Sequence, residues 1–186
     1  MLFVKRLTLL VCCVSLAGMA QAQQVIRFGK GRIGFRSDAP QEVIKASSEA
    51  LTGIIDPSRN TFLFKVPVSS FNGFNSALQK VHFNENYMES IKFPEAVFSG
   101  KIVETIDYAV DGTYEVRAKG KLKVHGIEFD RIIKAQLSVK KDKVKITSAF
   151  SVLLSDHNIP IPKVVNEKLA NEILVTMETQ GIITSK

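Results

Sequence analysis

Thr113–Gly126 reads TYEVRAKGKLKVHG, and its alternation is unbroken. Tyr114, Val116, Ala118, Gly120, Leu122 and Val124 share one face; Thr113, Glu115, Arg117, Lys119, Lys121 and Lys123 share the other. Successive side chains of a β-strand point to opposite faces, so the stretch predicts an antiparallel strand with one dry and one wet side. Four cations on the wet side require bulk water. On the dry side Ala118 and Gly120 stand between larger neighbours, which leaves room there for something other than a side chain.

The same period recurs outward from this strand. Val25–Phe35, Thr52–Ile55, Phe62–Val68, Val97–Ile106, Arg131–Lys140, Lys143–Leu154 and Ile173–Ile183 all read as strands. Asp111-Gly112 predicts a hairpin before the opening strand, His125-Gly126 a turn after it, and Lys141-Asp142 a hairpin between two later strands. Pro67 near the end of its run predicts an edge or a bulge. Regular strands with tight turns predict an all-β domain, one antiparallel barrel or sandwich. Asn72–Ser90 breaks the pattern, with Phe74, Leu78, Val81 and Phe83 at spacings compatible with helix; a connection of that length is a lid, a binding loop or a packed cap. A short helix is also expected within Lys163–Ile173. No repeat, low-complexity tract or linker interrupts the chain.

The N-terminus reads as a leader. Lys5 and Arg6 precede an apolar run from Leu7 to about Ala17, followed by Ala20-Gln21-Ala22, the pattern of a cleaved secretory signal over residues 1–22. The run falls short of the roughly 20 residues of a spanning helix, and Val11 is bulky for the position before a lipid-modified Cys12. The expected mature domain is 23–186, a periplasmic protein. Cleavage removes Lys5, Arg6 and no acid, so the formal charge falls from +7 to +5. Both cysteines, Cys12 and Cys13, leave with the leader, and with them any disulfide, thiol nucleophile or Cys metal site. A basic exported protein meets anionic membrane surfaces rather than nucleic acid.

Small residues recur in mid-strand on apolar faces: Gly100, Ala118, Gly120, Ser148 and Gly181. An eight-stranded barrel is just wide enough to be filled by its side chains or to hold one small ligand. Small residues either hollow such a barrel or relieve its curvature, and both readings stand. Twelve phenylalanines without a tryptophan suit an apolar tube lacking a specific polar anchor. Chemistry-bearing motifs are scarce. His82, His125 and His157 have no metal-ligand spacing, and there is neither a G-x-S-x-G nor a phosphate loop. No catalytic residue, metal or cofactor is expected; an enzyme would require His82, His125 and Glu89 to converge.

Several segments together resemble the YceI-like family of exported proteins. They are Leu51-Thr52-Gly53-Ile54-Ile55-Asp56, His82-Phe83, Tyr87-Met88-Glu89-Ser90, Phe93-Pro94-Glu95-Ala96-Val97-Phe98-Ser99 and Gly120-Lys121-Leu122-Lys123-Val124-His125-Gly126-Ile127. The matches run from about Ile33 to Ile183. The resemblance implies a single antiparallel eight-stranded lipocalin-like barrel with one or two short helices and an elongated apolar interior. Family members with known ligands hold isoprenoid chains or other long apolar molecules. Lys80 and Val81 stand where many members have an Arg-Asp pair, so nothing about the ligand's head group is carried over.

The leading expectation is therefore a periplasmic, non-enzymatic carrier or binder of a long apolar lipid, isoprenoid in class. The expected wall is Phe62, Phe64, Phe98, Ile102, Tyr114, Val116, Leu122, Val124, Phe150 and Val152, and the expected mouth or cap is Phe71, Phe74, Phe83 and Met88. The alternative is an envelope interaction module with a filled barrel and a basic partner-binding face. A membrane-spanning barrel is excluded, since it would crowd Arg117, Lys119, Lys121 and Lys123 into one lumen. An exposed edge at Pro67 or the first strand would offer a surface for a homodimer.

Overall fold

The structure, a computed structural model, describes Gln24–Ser185. The leader expected over residues 1–22 lies outside the described residues. Eight antiparallel strands follow one another around a closed barrel: β1 (Gln24–Asp38), β2 (Val43–Asp56), β3 (Thr61–Pro67), β4 (Glu95–Ile102), β5 (Gly112–Val124), β6 (Ile127–Lys140), β7 (Lys143–Leu153) and β8 (Glu172–Ser185). Each pairs with the next, and β8 returns to β1. Closure decides between barrel and sandwich.

The opening strand behaves as its alternation requires. On β5, Val116 and Leu122 are buried while Glu115, Arg117, Lys119, Lys121 and Lys123 are exposed. Apolar interior and charged exterior are the reverse of a membrane-spanning barrel, and among the described residues no helix is long and apolar enough to cross a membrane. The β5–β6 turn places His125 at φ +50° and Gly126 at φ +76°, the two positive values a two-residue hairpin matched to strand twist demands. At the opposite end Lys141, at φ +56°, joins β6 to β7.

Two expectations are corrected. First, closure leaves neither β1 nor Pro67 as an exposed edge: β1 is paired to both β2 and β8, and Pro67 ends β3 opposite Glu95. Second, β4 stops at Ile102, and Asp111-Gly112 is not a hairpin. Val103–Asp111 instead folds under the barrel as a plug. Asn60 Nδ2 donates to the carbonyls of Ile102 and Glu104, both at 2.8 Å. Ile106 and Tyr108 then bury themselves beneath the strands. The short helix expected within Lys163–Ile173 is a 3-10 helix, Lys163–Val165. The irregular segment 72–90 does contain a helix, α1 (Ala77–His82), followed by a wider turn over Phe83–Tyr87. Ser76 caps α1, its hydroxyl accepting from Gln79 N at 3.2 Å.

The barrel is packed unevenly. Near the plug, Ile26, Phe28, Ile55, Leu137, Val139 and Val144 are almost wholly inaccessible and fill the interior. The mid-strand glycines belong to curvature rather than to a hollow. A Cβ on Gly100 would stand 2.1 Å from the Lys119 carbonyl oxygen, and one on Gly120 2.1 Å from that of Ser99. The space beside Gly181 is taken by the Phe28 ring.

Two seams of the barrel are only part laddered: β2 meets β3 over Thr52–Asp56 alone, and β6 meets β7 over a similar length. β6 and β7 pair from Gln136–Lys140 against Thr147–Lys143 and then part. Beyond that point Ile127–Ala135 stays with β5, and Ser148–Leu153 stays with β8. The 3-10 turn Leu154–His157 wedges into the upper part of this seam, with His157 Nδ1 3.1 Å from the Ile127 carbonyl oxygen.

Candidate ligand-binding site

The end of the barrel away from the plug is hollow. A cavity of about 310 Å³ lies under α1 and the turn that follows it. Its wall is built strand by strand from the inward set: Ile33 and Phe35 of β1, Val66 of β3, Ala96 of β4, Leu122 and Val124 of β5, Phe150 and Val152 of β7, Ile173 and Val175 of β8. Phe71, Phe74, Phe83 and Met88 close it from the cap side. Phe35 stacks on Phe83 at 5.3 Å between centroids, and Phe71 and Phe74 lean on the same pair at 5.1–5.9 Å. The few side chains with polar groups along the lining are Glu42, Gln79, His82, Tyr87 and Lys168.

A second cavity, of about 100 Å³, continues toward the plug. Phe62, Phe64, Phe98, Ile102, Val116, Ala118 and Ser148 border it. Ile33, Val66, Ala96, Leu122 and Phe150 border both cavities and so form the neck between them. The tube is blind: below the second cavity the filled core and the plug close it.

Of the wall residues expected from sequence, Phe62, Phe64, Phe98, Ile102 and Val116 border the lower cavity, Val124 and Val152 the upper, and Leu122 and Phe150 both. Tyr114 borders neither. It packs against the filled core, with its hydroxyl 3.5 Å from the carbonyl oxygens of Asp107 and Val110. All four expected cap residues border the upper cavity. Sequence reading missed Phe35, Val175 and the chain around Ile159–Leu169. Phe35 and Val175 are in phase with neighbours already read as strand; the later segment has no periodicity to betray it.

The cap is tied to the barrel at two places. Glu42 Oε1 accepts from Gln79 Nε2 at 2.6 Å and from Asn75 Nδ2 at 3.1 Å, holding the start of α1 against the β1–β2 turn. On the far side Glu89, at φ +42°, places its Oε2 2.6 Å from His125 Nε2, while His125 Nδ1 lies 3.1 Å from the His157 carbonyl oxygen. Two of the three groups an enzyme would need are thus together, and His82 shares no hydrogen bond with either. Both nitrogens of His125 are engaged by protein acceptors and neither is turned to the cavity. The pair is a strap. Among the described residues no group of His, Cys, Asp or Glu could hold a metal ion.

Burial governs two perturbed groups, one beside this strap and one in the plug. His157, fully enclosed, has its pKa lowered because burial disfavours the imidazolium, and its Nε2 has no partner. Tyr108, in the plug, is pushed up to about 12 by burial.

The model of the YceI-like domain matches residues 21–180. This chain belongs to the YceI-like family. No curated protein matches the sequence. Solved YceI-like structures share the fold at low identity. A polyisoprenoid-binding domain from Saccharophagus degradans is 11% identical, with 88% of this chain and 99% of that one aligned at a TM-score of 0.73. BcnA of Burkholderia cenocepacia is also 11% identical, with 81% and 95% covered and a TM-score of 0.66. The Campylobacter jejuni YCEI protein is 14% identical, covering 100% and 91% at 0.52. The lipocalin-like YceI barrel is accordingly the fold of this chain.

Proposed function

We propose that this YceI-like protein is an exported, non-enzymatic binder or carrier of a long apolar lipid, isoprenoid in class, held in the hollow half of its barrel. One observation carries the reading: an apolar lining continues from the Phe35–Phe83 stack at the mouth, through the neck at Ala96 and Leu122, to Phe98 and Ile102. The name of the Saccharophagus neighbour, a polyisoprenoid-binding domain, agrees with it. The energetics suffice. Each buried methylene contributes about 0.8 kcal/mol, so one prenyl unit gives roughly 4 kcal/mol. A few units offset an association cost on the order of 4–15 kcal/mol. The polar end of the ligand would meet Glu42, Gln79, His82 and Lys168 at the rim. The leader expected from the sequence supports a periplasmic location, where exposed lysines would favour transient contact with anionic lipid surfaces.

The test is mass spectrometry of the protein purified from its own envelope, first native and then solvent-extracted. A stoichiometric long-chain lipid is the expected result. A clean apo mass, with no uptake of added quinone or polyprenol, would defeat the carrier reading and turn attention to the basic face of β5.

A further inference from the structure

The half-laddered seam between β6 and β7 forms a side wall of the tube that side chains, rather than strand pairing, hold shut. Where pairing stops, the facing residues are small: Ala135 on β6, Ser148 and Ala149 on β7. A groove of about 650 Å³ runs outside this point, with as much polar as apolar lining. Ala135, Ser148 and Met177 border both that outer groove and the lower cavity of the tube. These inward side chains are half-buried, whereas Ile133, Leu137, Ile146 and Thr179 around them are buried. In place of a ladder, two side chains clasp the seam. Ser148 Oγ donates to the Lys134 carbonyl at 2.6 Å, and Arg131 Nη2 donates to the Ser151 carbonyl at 2.6 Å. The Ser148 clasp is released by one rotamer change at the cost of one hydrogen bond rather than a strand pairing; the Arg131 clasp also gives up an ion pair to Asp156 at 3.8 Å.

Capacity supplies the reason for an opening. The two cavities together enclose about 400 Å³, near the lower end of the 300–1,000 Å³ that suits a drug-sized molecule. A chain of many prenyl units exceeds that space, and the plug blocks an exit through the far end. We propose that the β6–β7 seam is a lateral opening of the tube, through which the distal end of a long chain passes into the outer groove. The proposal rests on the lipid-binding reading above and adds a second binding surface to it. The groove suits a chain end: Gly34, Ala135, Ala149 and Met177 offer apolar contact, and the flanking polar groups keep it soluble when empty.

Ala135→Cys with Ser148→Cys places two thiols where the next rung of the ladder would fall, in a chain whose own cysteines are confined to positions 12 and 13. Oxidised and reduced forms of this purified variant are compared for binding of farnesol, a short prenyl alcohol, and solanesol, a long one. The expected result is farnesol binding in both forms, with oxidation costing solanesol at least tenfold more affinity than it costs farnesol. Solanesol losing no more than farnesol on oxidation overturns the opening while leaving the tube intact. Binding of neither alcohol in either form overturns the lipid reading and the opening together. A second measurement does not depend on the disulfide: solanesol with a photoreactive group at its distal end is irradiated in complex with the unaltered protein. Crosslinks to the outward Gln136, Ala149 and Thr176 support the opening; crosslinks confined to the cap overturn it.

Discussion

Replacing Ala96 by phenylalanine tests the tube where it is narrowest. Ala96 sits on β4 opposite Val66 and borders both cavities, so a ring there fills the neck and cuts the lower cavity off. That lower space is about 100 Å³; at roughly 30 Å³ for a water-sized group it takes three or four carbons of a chain. Excluding them forfeits about 3 kcal/mol at 0.8 kcal/mol per methylene, or roughly a hundredfold in Kd at 1.4 kcal/mol per tenfold. Stability should change by less, because the new ring enters existing space; overpacking of a filled core would cost about 1–3 kcal/mol. Titration calorimetry with a prenyl alcohol, beside thermal unfolding of the free protein, separates the two quantities. Binding of unchanged affinity by a well-folded Ala96→Phe protein would refute the idea that the ligand passes the neck.

Other perturbations address the frame. His157 is held neutral by burial, so the unfolded chain takes up a proton near pH 6.5 that the folded chain refuses. Stability is therefore greatest above about pH 6.5 and declines below it, by up to about 1.4 kcal/mol per pH unit, until the lowered native pKa is reached. His157→Asn should remove that part of the slope in denaturant melts at pH 5 to 8; an unaltered slope contradicts the assignment. Breaking the strap with His125→Ala should cost about 1 kcal/mol, the half-exposed Glu89 being partly screened. Hydrogen exchange should quicken over residues 83–93 but not in β5 or β8, and uniform acceleration would show that the strap supports the whole barrel. Tyr108 should ionise only near pH 12; ultraviolet titration should lose that late step in Tyr108→Phe, and its persistence would assign the step elsewhere.

The strands were legible because each keeps one face in water. Lys119, Lys121 and Lys123 against Val116 and Leu122 leave no second interpretation of β5. The plug was misread for the same reason that β5 was read correctly. Ile106 and Tyr108 alternate as strand residues do, yet their burial comes from folding beneath the barrel, and period alone does not distinguish the two. The glycines were ambiguous because a missing side chain can admit a ligand or a neighbour. Only the approach of Lys119 and Ser99 carbonyls to Gly100 and Gly120 decides between these. The cavity itself depends on where β6 leaves β7 and on how 68–90 lies across the mouth, long-range outcomes with no local signature. Phe71, Phe74 and Phe83 were placed at the mouth through their density in an irregular segment, whereas Phe35 hid among the residues of an ordinary strand.

The uneven filling of the barrel has an evolutionary consequence. Residues that hold the fold together, such as Ile26, Phe28, Val139 and Val144, lie around the plug, while those that line the upper cavity lie at the other end. Substitutions near the mouth can therefore reshape the upper cavity while the packed core below stays intact. Relatives sharing barely a tenth of their residues can keep one scaffold while the upper cavity varies; the lower cavity has less freedom, because Phe62, Ile102 and Val116 belong both to its wall and to the core.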